Sequence, residues 1–478
     1  MSKKKGTYLQ LRWFLILLLL GGCVRIPEHE LALADSSAGF SETVETALQT
    51  GSFETGEWVQ ENWWERFEDP FLTALIEEGL KKSPNLKFAE ERLKAAAQVA
   101  LQKRAALFPE IDLDATDVWQ HFSRAGLFRS LAPSMPATIN DVTIGLSFHY
   151  EFDFWGKNRD LFDAALGEAS ARAFETMQAR LVMTTAIAYT YFEWQFLLKK
   201  QEILQERKGN RTMVLGVRDV RERNAVDTAL DSLAAEADTL EIDAALKNVQ
   251  IEIDLHVHQL KALAGMSQDA PLEREKVSLR ALRLALPKTL GLDLLARRPD
   301  LMAQKKRVEA AAHKIDAAKT NFYPNINLLA FLGTESILWP QLFRAHNWNV
   351  LGNPAIHLPI FTAGRIRAEL YEQVSFFNEA VYVYNELILQ ATKEVADSLT
   401  TITTLLEQIA LHQKILNVAD QERFLVRRLF EGALANRIDT LKAIDQTLEK
   451  KLLLTGIEYA TQLAEIVLIR NLGGGFHE

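Results

Sequence analysis

Two patterns of apolar and polar positions alternate along this chain. From Lys157 to about Arg223, and again from Ile366 to about Phe430, the residues are rich in Ala, Leu, Glu, Lys and Gln and poor in glycine. All thirteen prolines fall outside 137–270 and 360–478, and proline is excluded from helix interiors. The two stretches therefore predict near-continuous helices. Sixty-seven residues, the span from Lys157 to Arg223, make a helix of about 100 Å at 1.5 Å per residue, far longer than a compact domain needs. Asn224 and Gly432 tolerate a left-handed backbone and mark the expected turns, after which a second helix returns from each. Two antiparallel helical hairpins of coiled-coil dimensions result.

The second pattern has period two. Ile111 to Trp119 alternates apolar and polar residues, as does Thr143 to Trp155. Weaker versions run from Ile326 to Phe331 and from Ala355 to Phe361. Strands with one apolar and one wet face, with aromatics such as Trp119, Phe154, Trp155 and Phe361 toward their ends, suit a transmembrane β-barrel. Four strands cannot close a barrel, and an open edge in lipid leaves backbone groups unpaired. Closure must come from other subunits.

The chain is written twice. Residues 84–115 match 299–330 at a constant offset, with ten of 32 positions identical, among them Pro84/Pro299, Arg92/Arg307 and Pro109/Pro324. Later landmarks keep step: Gly156-Lys157 answers Gly364-Arg365, and Asp231 answers Asp439. Two repeats are too few for a solenoid and pack side by side about a pseudo-twofold. The resulting division is a leader over 1–22, an N-terminal segment over 23–70, a first repeat over 71–285, and a second repeat with the C-terminal segment over 286–478.

Composition narrows the function. The formal charge is −9, and more negative once the basic leader is removed, which argues against general nucleic-acid binding. Lys3 to Lys5 precede an apolar run from Phe14 to Leu20, too short to span a bilayer, as in a secretory signal peptide. It ends in Leu20-Gly21-Gly22-Cys23, which resembles a bacterial lipobox and makes Cys23, the one cysteine, the expected acylation site. Val24, not an acid, follows, as in lipoproteins sent on to the outer membrane. No later apolar run approaches 18 residues, so the mature chain is expected to have no transmembrane helix.

Together these motifs resemble the outer-membrane efflux proteins, the TolC-like outer-membrane factor family, and within it the acylated NodT-type lipoproteins. The resemblance spans roughly residues 60–475. It is carried by Trp64-Glu65-Arg66-Phe67-Glu68-Asp69-Pro70, the Phe108-Pro109 and Tyr323-Pro324 helix exits, Tyr150 to Lys157, Leu358-Pro359-Ile360-Phe361 with Gly364-Arg365, and the closing Leu472-Gly473-Gly474-Gly475-Phe476. It implies an α+β membrane protein whose homotrimer shares a transmembrane β-barrel, four strands per chain, above a periplasmic α-barrel of helical hairpins. It also implies a passive exit duct in the outer membrane, reaching into the periplasm, fed by an inner-membrane pump through a periplasmic adaptor. No catalysis and no cofactor beyond the lipid on Cys23 are expected. An outlet for type I protein secretion shares this architecture, whereas a coiled-coil lipoprotein spacer has no use for four amphipathic strands.

Residue roles follow from the same resemblance. Asp439 takes the first acidic position of the family's tip motif, which narrows the tunnel, and Lys442 stands where a second acid is usual. Residues i and i+3 share a helix face, so the ring is expected to be mixed in sign. Asp231 is the first-repeat equivalent. Gly156 and Gly364 lie where strand turns to helix and provide the backbone freedom such a junction needs. The remaining candidates read as structural. His256 and His258, two apart on a helix, point to different faces and read as surface groups and not a metal site, Glu151 and Asp153 line a wet lumen, and Gly473 to Gly475 terminate a helix.

Overall fold

A computed structural model describes residues 26–34, 53–56, 58–272, 285–287 and 296–476. The expected leader and Cys23 lie outside the described residues. Eight α-helices are described: α1 (Pro70–Lys82), α2 (Pro84–Ala105), α3 (Leu127–Leu131), α4 (Lys157–Arg223), α5 (Ala229–Leu263), α6 (Pro299–Thr320), α7 (Arg365–Glu431) and α8 (Arg437–Asn471). The strands are β1 (Glu54–Gly56), β2 (Glu110–His121), β3 (Thr138–Phe152), β4 (Ala285–Pro287), β5 (Asn325–Ser336) and β6 (Trp348–His357). Helices α4 and α7 each have 67 residues, and α5 and α8 each have 35.

Two compact units divide the chain, and each draws equivalent pieces from both repeats. Among the described residues, one comprises 26–34, 94–171 and 305–383, and the other comprises those within 53–93, 172–304 and 384–476. The first unit holds a four-stranded antiparallel sheet in the order β2-β3-β5-β6. The central pairing, β3 with β5, runs from Val142↔Ser336 to Phe152↔Ile326 and joins the two repeats. Beneath the sheet Ile315, Ala318 and Phe322 of α6 pack with Ile366, Leu370 and Val374 of α7.

In the second unit the core gathers Trp63, Leu72 and Ile76 against Ile187 and Tyr191 of α4, Leu260 of α5 and Ile469 of α8. The Trp-Glu-Arg-Phe-Glu-Asp-Pro motif acquires a physical role there. Trp63, Trp64 and Phe67 are buried on a 3-10 turn, and Asp69 caps α1 by accepting from the Phe71 and Leu72 amides. Tyr191 donates its hydroxyl to the other Asp69 oxygen at 2.6 Å, fixing that cap to α4. Strands β1 and β4 form a small parallel pair that the sequence reading does not foresee.

Several expectations are revised. The fourth strand starts at Trp348 and ends at His357, so Ile360 and Phe361 lie beyond it, 85 % and 88 % exposed. Phe154 and Trp155 likewise follow the end of β3. The left-handed residues at the hairpin turns are Ala225 and Ala433, each at φ 57°, not Asn224 and Gly432. Gly473, Gly474 and Gly475 do more than stop a helix. All have positive φ, and a Cβ on them would collide with Arg297, Leu181 and Gln60 respectively, so the chain end is docked closely. His256 bridges to Glu193 of α4 at 2.9 Å and is not a free surface group. Helix α8 is long and apolar enough to cross a membrane by length and composition, but half of its most apolar window is buried within the chain. Glu465 is 4 % exposed, and Ile466, Leu468 and Ile469 belong to the core of the second unit, so α8 is a core helix.

Candidate functional site: an amphipathic sheet and two hairpin tips

Strand alternation sorts the sheet into two faces. The register places Ile111 beside Phe148, Leu113 beside Leu146 and Ala115 beside Ile144, and continues to Ala330, Leu332 and Thr334 on β5. Val350, Gly352 and Ile356 complete this apolar face on β6. The opposite face carries Glu110, Asp112, Asp114 and Thr116 on β2, then Ser147, Thr143 and Asp141 on β3, and Asn349 and Asn353 on β6. Phe331 interrupts it together with Leu329 and Leu351, and the Phe331 ring lies over the cross-strand glycines Gly145 and Gly333, where added Cβ atoms would strike it. Such an aromatic cover over paired glycines protects a weak point in a sheet. Among the described residues, β2 and β6 pair on one side only.

At the lower end of the sheet each repeat turns from strand to helix. Gly156 and Gly364 have φ of 83° and 89°, and a methyl group at either would meet nothing closer than Asp160 Oδ2 at 3.7 Å. Backbone angle, not space, selects glycine there. The two carboxylates read as lumen wall part company. Glu151 accepts from Lys157 at 3.3 Å and Asn325 at 2.9 Å, whereas Asp153 lies past β3 and receives the Asn158 and Arg159 amides, both at 3.0 Å. Asp153 is thus a helix cap.

The junction also gathers side chains that the sequence reading leaves apart. His313 Nδ1 of α6 lies 3.3 Å from Asp160 Oδ1 of α4, and the ligand atoms of Asp160, Asp163 and His313 all fall within 4.8 Å of one another. Burial raises the Asp160 carboxyl above the usual range; the bond to His313 opposes this, and Asp316 and Asp163 reinforce it. The i, i+3 spacings Asp160/Asp163 and His313/Asp316 are visible in the sequence, but only the fold faces them.

At the tips, both expected acids are helix caps. Asp231 and Asp439 are third-position members of capping boxes, with Thr228 and Asn436 as the N-caps. The amide of Asp439 donates to Asn436 Oδ1 at 2.9 Å, and its carboxylate accepts from the Asn436 amide at 3.1 Å. The Asp231 carboxyl sits below the ordinary value, through its bonds from the Thr228 hydroxyl and amide. Lys442 is exposed, and among the described residues it forms no ion pair with Asp439. A different cation is close to both acids. Arg221 is bidentate to Asp227 at 2.9 Å, and the charges of Asp227, Asp231 and Asp439 all raise its pKa. Arg218 completes the clamp at 2.7 Å, and the Asp227 carboxyl falls to about 2.

Higher on the hairpins, Asp445 of α8 receives Arg207 through two bonds of 3.0 and 2.9 Å and Arg211 at 3.1 Å. Burial opposes charge on Asp445, yet these bonds outweigh it and keep its pKa low. Asn210 Nδ2 donates to the Leu441 carbonyl at 2.7 Å. The hairpin of the first repeat is thereby tied to that of the second.

A sheet with one lipid-compatible and one wet face, joined to helices of 67 residues, is the architecture of a membrane channel protein. The model of the outer membrane efflux protein family matches residues 75–266 and 290–474, and the chain belongs to that family. It is 32% identical over 412 residues to the multidrug resistance outer membrane protein MdtQ of Escherichia coli, covering 85% of each chain. The outer membrane protein VceC of Vibrio cholerae superimposes with a TM-score of 0.79 at 32% identity, covering 88% of this chain and 100% of that one. The CmeC outer membrane channel of Campylobacter jejuni shares the fold with a TM-score of 0.81 at 21% identity, over 95% and 94% of the two chains.

The Asp227 clamp has a definite pH range. Its pKa is depressed from 3.8 to about 2, so its stabilisation is complete above the unfolded value and is lost as pH falls through the folded one. Pepsin should leave the tip around Val226 uncut at pH 3.5 and cleave it as pH approaches 2, whereas Asp227→Asn should be cut throughout. Identical cleavage of both proteins would discount the clamp.

Proposed function

We propose that this protein is the outer-membrane exit duct of a tripartite efflux system, passively conducting solutes that an inner-membrane pump delivers through a periplasmic adaptor. The observation that carries the reading is the four-stranded amphipathic sheet with β2 and β6 unpaired on their outer sides. In lipid each unpaired N–H and C=O costs several kcal/mol. Three copies joined β6 to β2 satisfy every edge and close a barrel. Their apolar faces then meet lipid, and the Asp112, Asp114 and Asp141 face surrounds the pore. Relatives named for multidrug resistance favour efflux over protein secretion. The purified chain should run as a trimer in detergent by light scattering. A monodisperse monomer with full strand content by circular dichroism would contradict the shared barrel.

Cys23 carries acyl chains in this reading and anchors the mature N-terminus in the same membrane. At about 0.8 kcal/mol per buried methylene, several chains on one residue hold far better than one. Cys23→Ser should abolish metabolic labelling by a radioactive fatty acid and weaken fractionation with the outer membrane. Equal labelling of both proteins would move the anchor elsewhere.

The selectivity of the duct rests on the tips. Three Asp439 carboxylates around a common axis attract cations, the more so where the walls exclude water. Lys442 and Arg221 temper that field, and Asp231 contributes less. Asp439→Ala should lower cation selectivity, read as the reversal potential of a planar bilayer under a salt gradient. Lys442→Asp and Arg221→Gln should raise it. A reversal potential unchanged by all three substitutions would take the tips out of the conducting path.

A further inference from the structure

Two loops leave the sheet at the end away from the helix junctions, residues 122–137 between β2 and β3 and residues 337–347 between β5 and β6. Their charge is the reverse of that in the strands. The four strands contain seven carboxylates and no Lys or Arg, while the two loops contain Arg124, Arg129 and Arg344 and no carboxylate. The loops are also apolar and exposed: Leu131 is 77 % exposed and Phe343 79 %. Among the described residues, none of these three arginines has a carboxylate partner.

The hydrogen bonding shows which side of the sheet the second loop covers. Trp339 Nε1 donates to Asp117 Oδ2 at 3.1 Å. Asp117 lies opposite Val142 and so belongs to the apolar face, where it is the one acid. Val142 and Leu342, in the loop itself, are both fully buried. The loop therefore folds over the outer, lipid-compatible face and not across the polar one. An exposed Phe343 and the adjacent Arg344 then stand at the rim where the apolar band ends.

Aromatic and aliphatic side chains at that level enter the acyl region, and an arginine among them, lacking an acid of its own chain, is suited to a phosphate. We propose that Arg344, Arg124 and Arg129, with Phe343 and Trp339, form a binding rim for the phosphorylated glycolipid of the outer leaflet. The commitment to that lipid follows from position: the rim lies at the end of the sheet opposite the periplasmic helices, in the leaflet where the glycolipid resides. The inference rests on the sheet being the membrane-spanning part. The glycolipid phosphates fit the guanidinium forks through paired N–H···O bonds, and the acyl chains cover the exposed loop side chains.

The test uses the full chain purified in detergent and titrated with bisphosphorylated lipid A, with lipid A stripped of phosphate, and with phosphatidylglycerol at equal phosphate. Binding is read by native mass spectrometry and by the shift in thermal midpoint. Only the bisphosphorylated lipid should bind tightly and raise the midpoint. The combined Arg124→Gln, Arg129→Gln and Arg344→Gln protein should bind it about tenfold more weakly, a change of 1.4 kcal/mol, and Arg344→Lys should lie between. Equal binding of phosphatidylglycerol overturns the glycolipid assignment, and unchanged affinity in the triple variant overturns the arginine rim. Single-channel conductance of the same variant reads the duct separately: wild-type conductance with unchanged lipid affinity sinks the rim alone, whereas a wild-type chain that never conducts sinks the duct.

Discussion

The four-stranded sheet depends on pairing backbone groups in a medium that offers no water. A helix satisfies its own N–H and C=O groups, but a strand cannot, so the β2 and β6 edges make a single copy of this chain incomplete in lipid. Duplication places one hairpin from each repeat side by side, so β3 and β5 meet in the middle and their ladder of eleven pairs is flanked by ladders of twelve and ten.

Much of this was legible in the sequence because it follows from periodicity. The long helices start and stop within a residue of where proline exclusion and composition put them, Lys157 to Arg223 and Arg365 to Glu431. Gly156 and Gly364 stand at strand-to-helix turns with positive φ. The strand ends were harder. Trp348 to Pro354 include Gly352 and two asparagines, which read as loop, and it is pairing with Leu328 to Thr334 that makes them strand. Tertiary partners override local propensity there. Phe361 looked like part of an alternating run, but Pro359 has no amide hydrogen to continue a ladder.

The side-chain networks were illegible for a different reason. Arg207 and Arg211 are four apart on one helix, and Asp445 with Glu449 four apart on another, as on any solvated helix face. Nothing local says that the two pairs meet across 238 residues. The same holds for Asp160, Asp163 and His313, which come from different repeats. Asp227 was missed beside Asp231 because the reading followed the family's acidic position. Its sign was the cluster of Arg218 and Arg221 one or two turns before a helix end, where a following carboxylate can fold back upon them.

The two tips show what the repeats kept and what they changed. Their backbones are the same. Ala225 and Ala433 share a φ of 57°, and the Val226 and Leu434 amides each reach back 2.8 Å to the carbonyl five residues earlier. Both helices that follow open with a capping box. The side chains that hold those turns differ completely. At the positions equivalent to Arg218, Arg221 and Asp227 the second repeat has Val426, Leu429 and Ala435. The first tip is locked by charge, while the second carries apolar side chains outward, with Leu434 79 % exposed. An αL alanine is strained by about 1 kcal/mol or more relative to glycine. At the first tip the Asp227 clamp offsets that strain within the chain. At the second, among the described residues, the backbone bonds and the capping box oppose it locally, with no counterpart of that clamp.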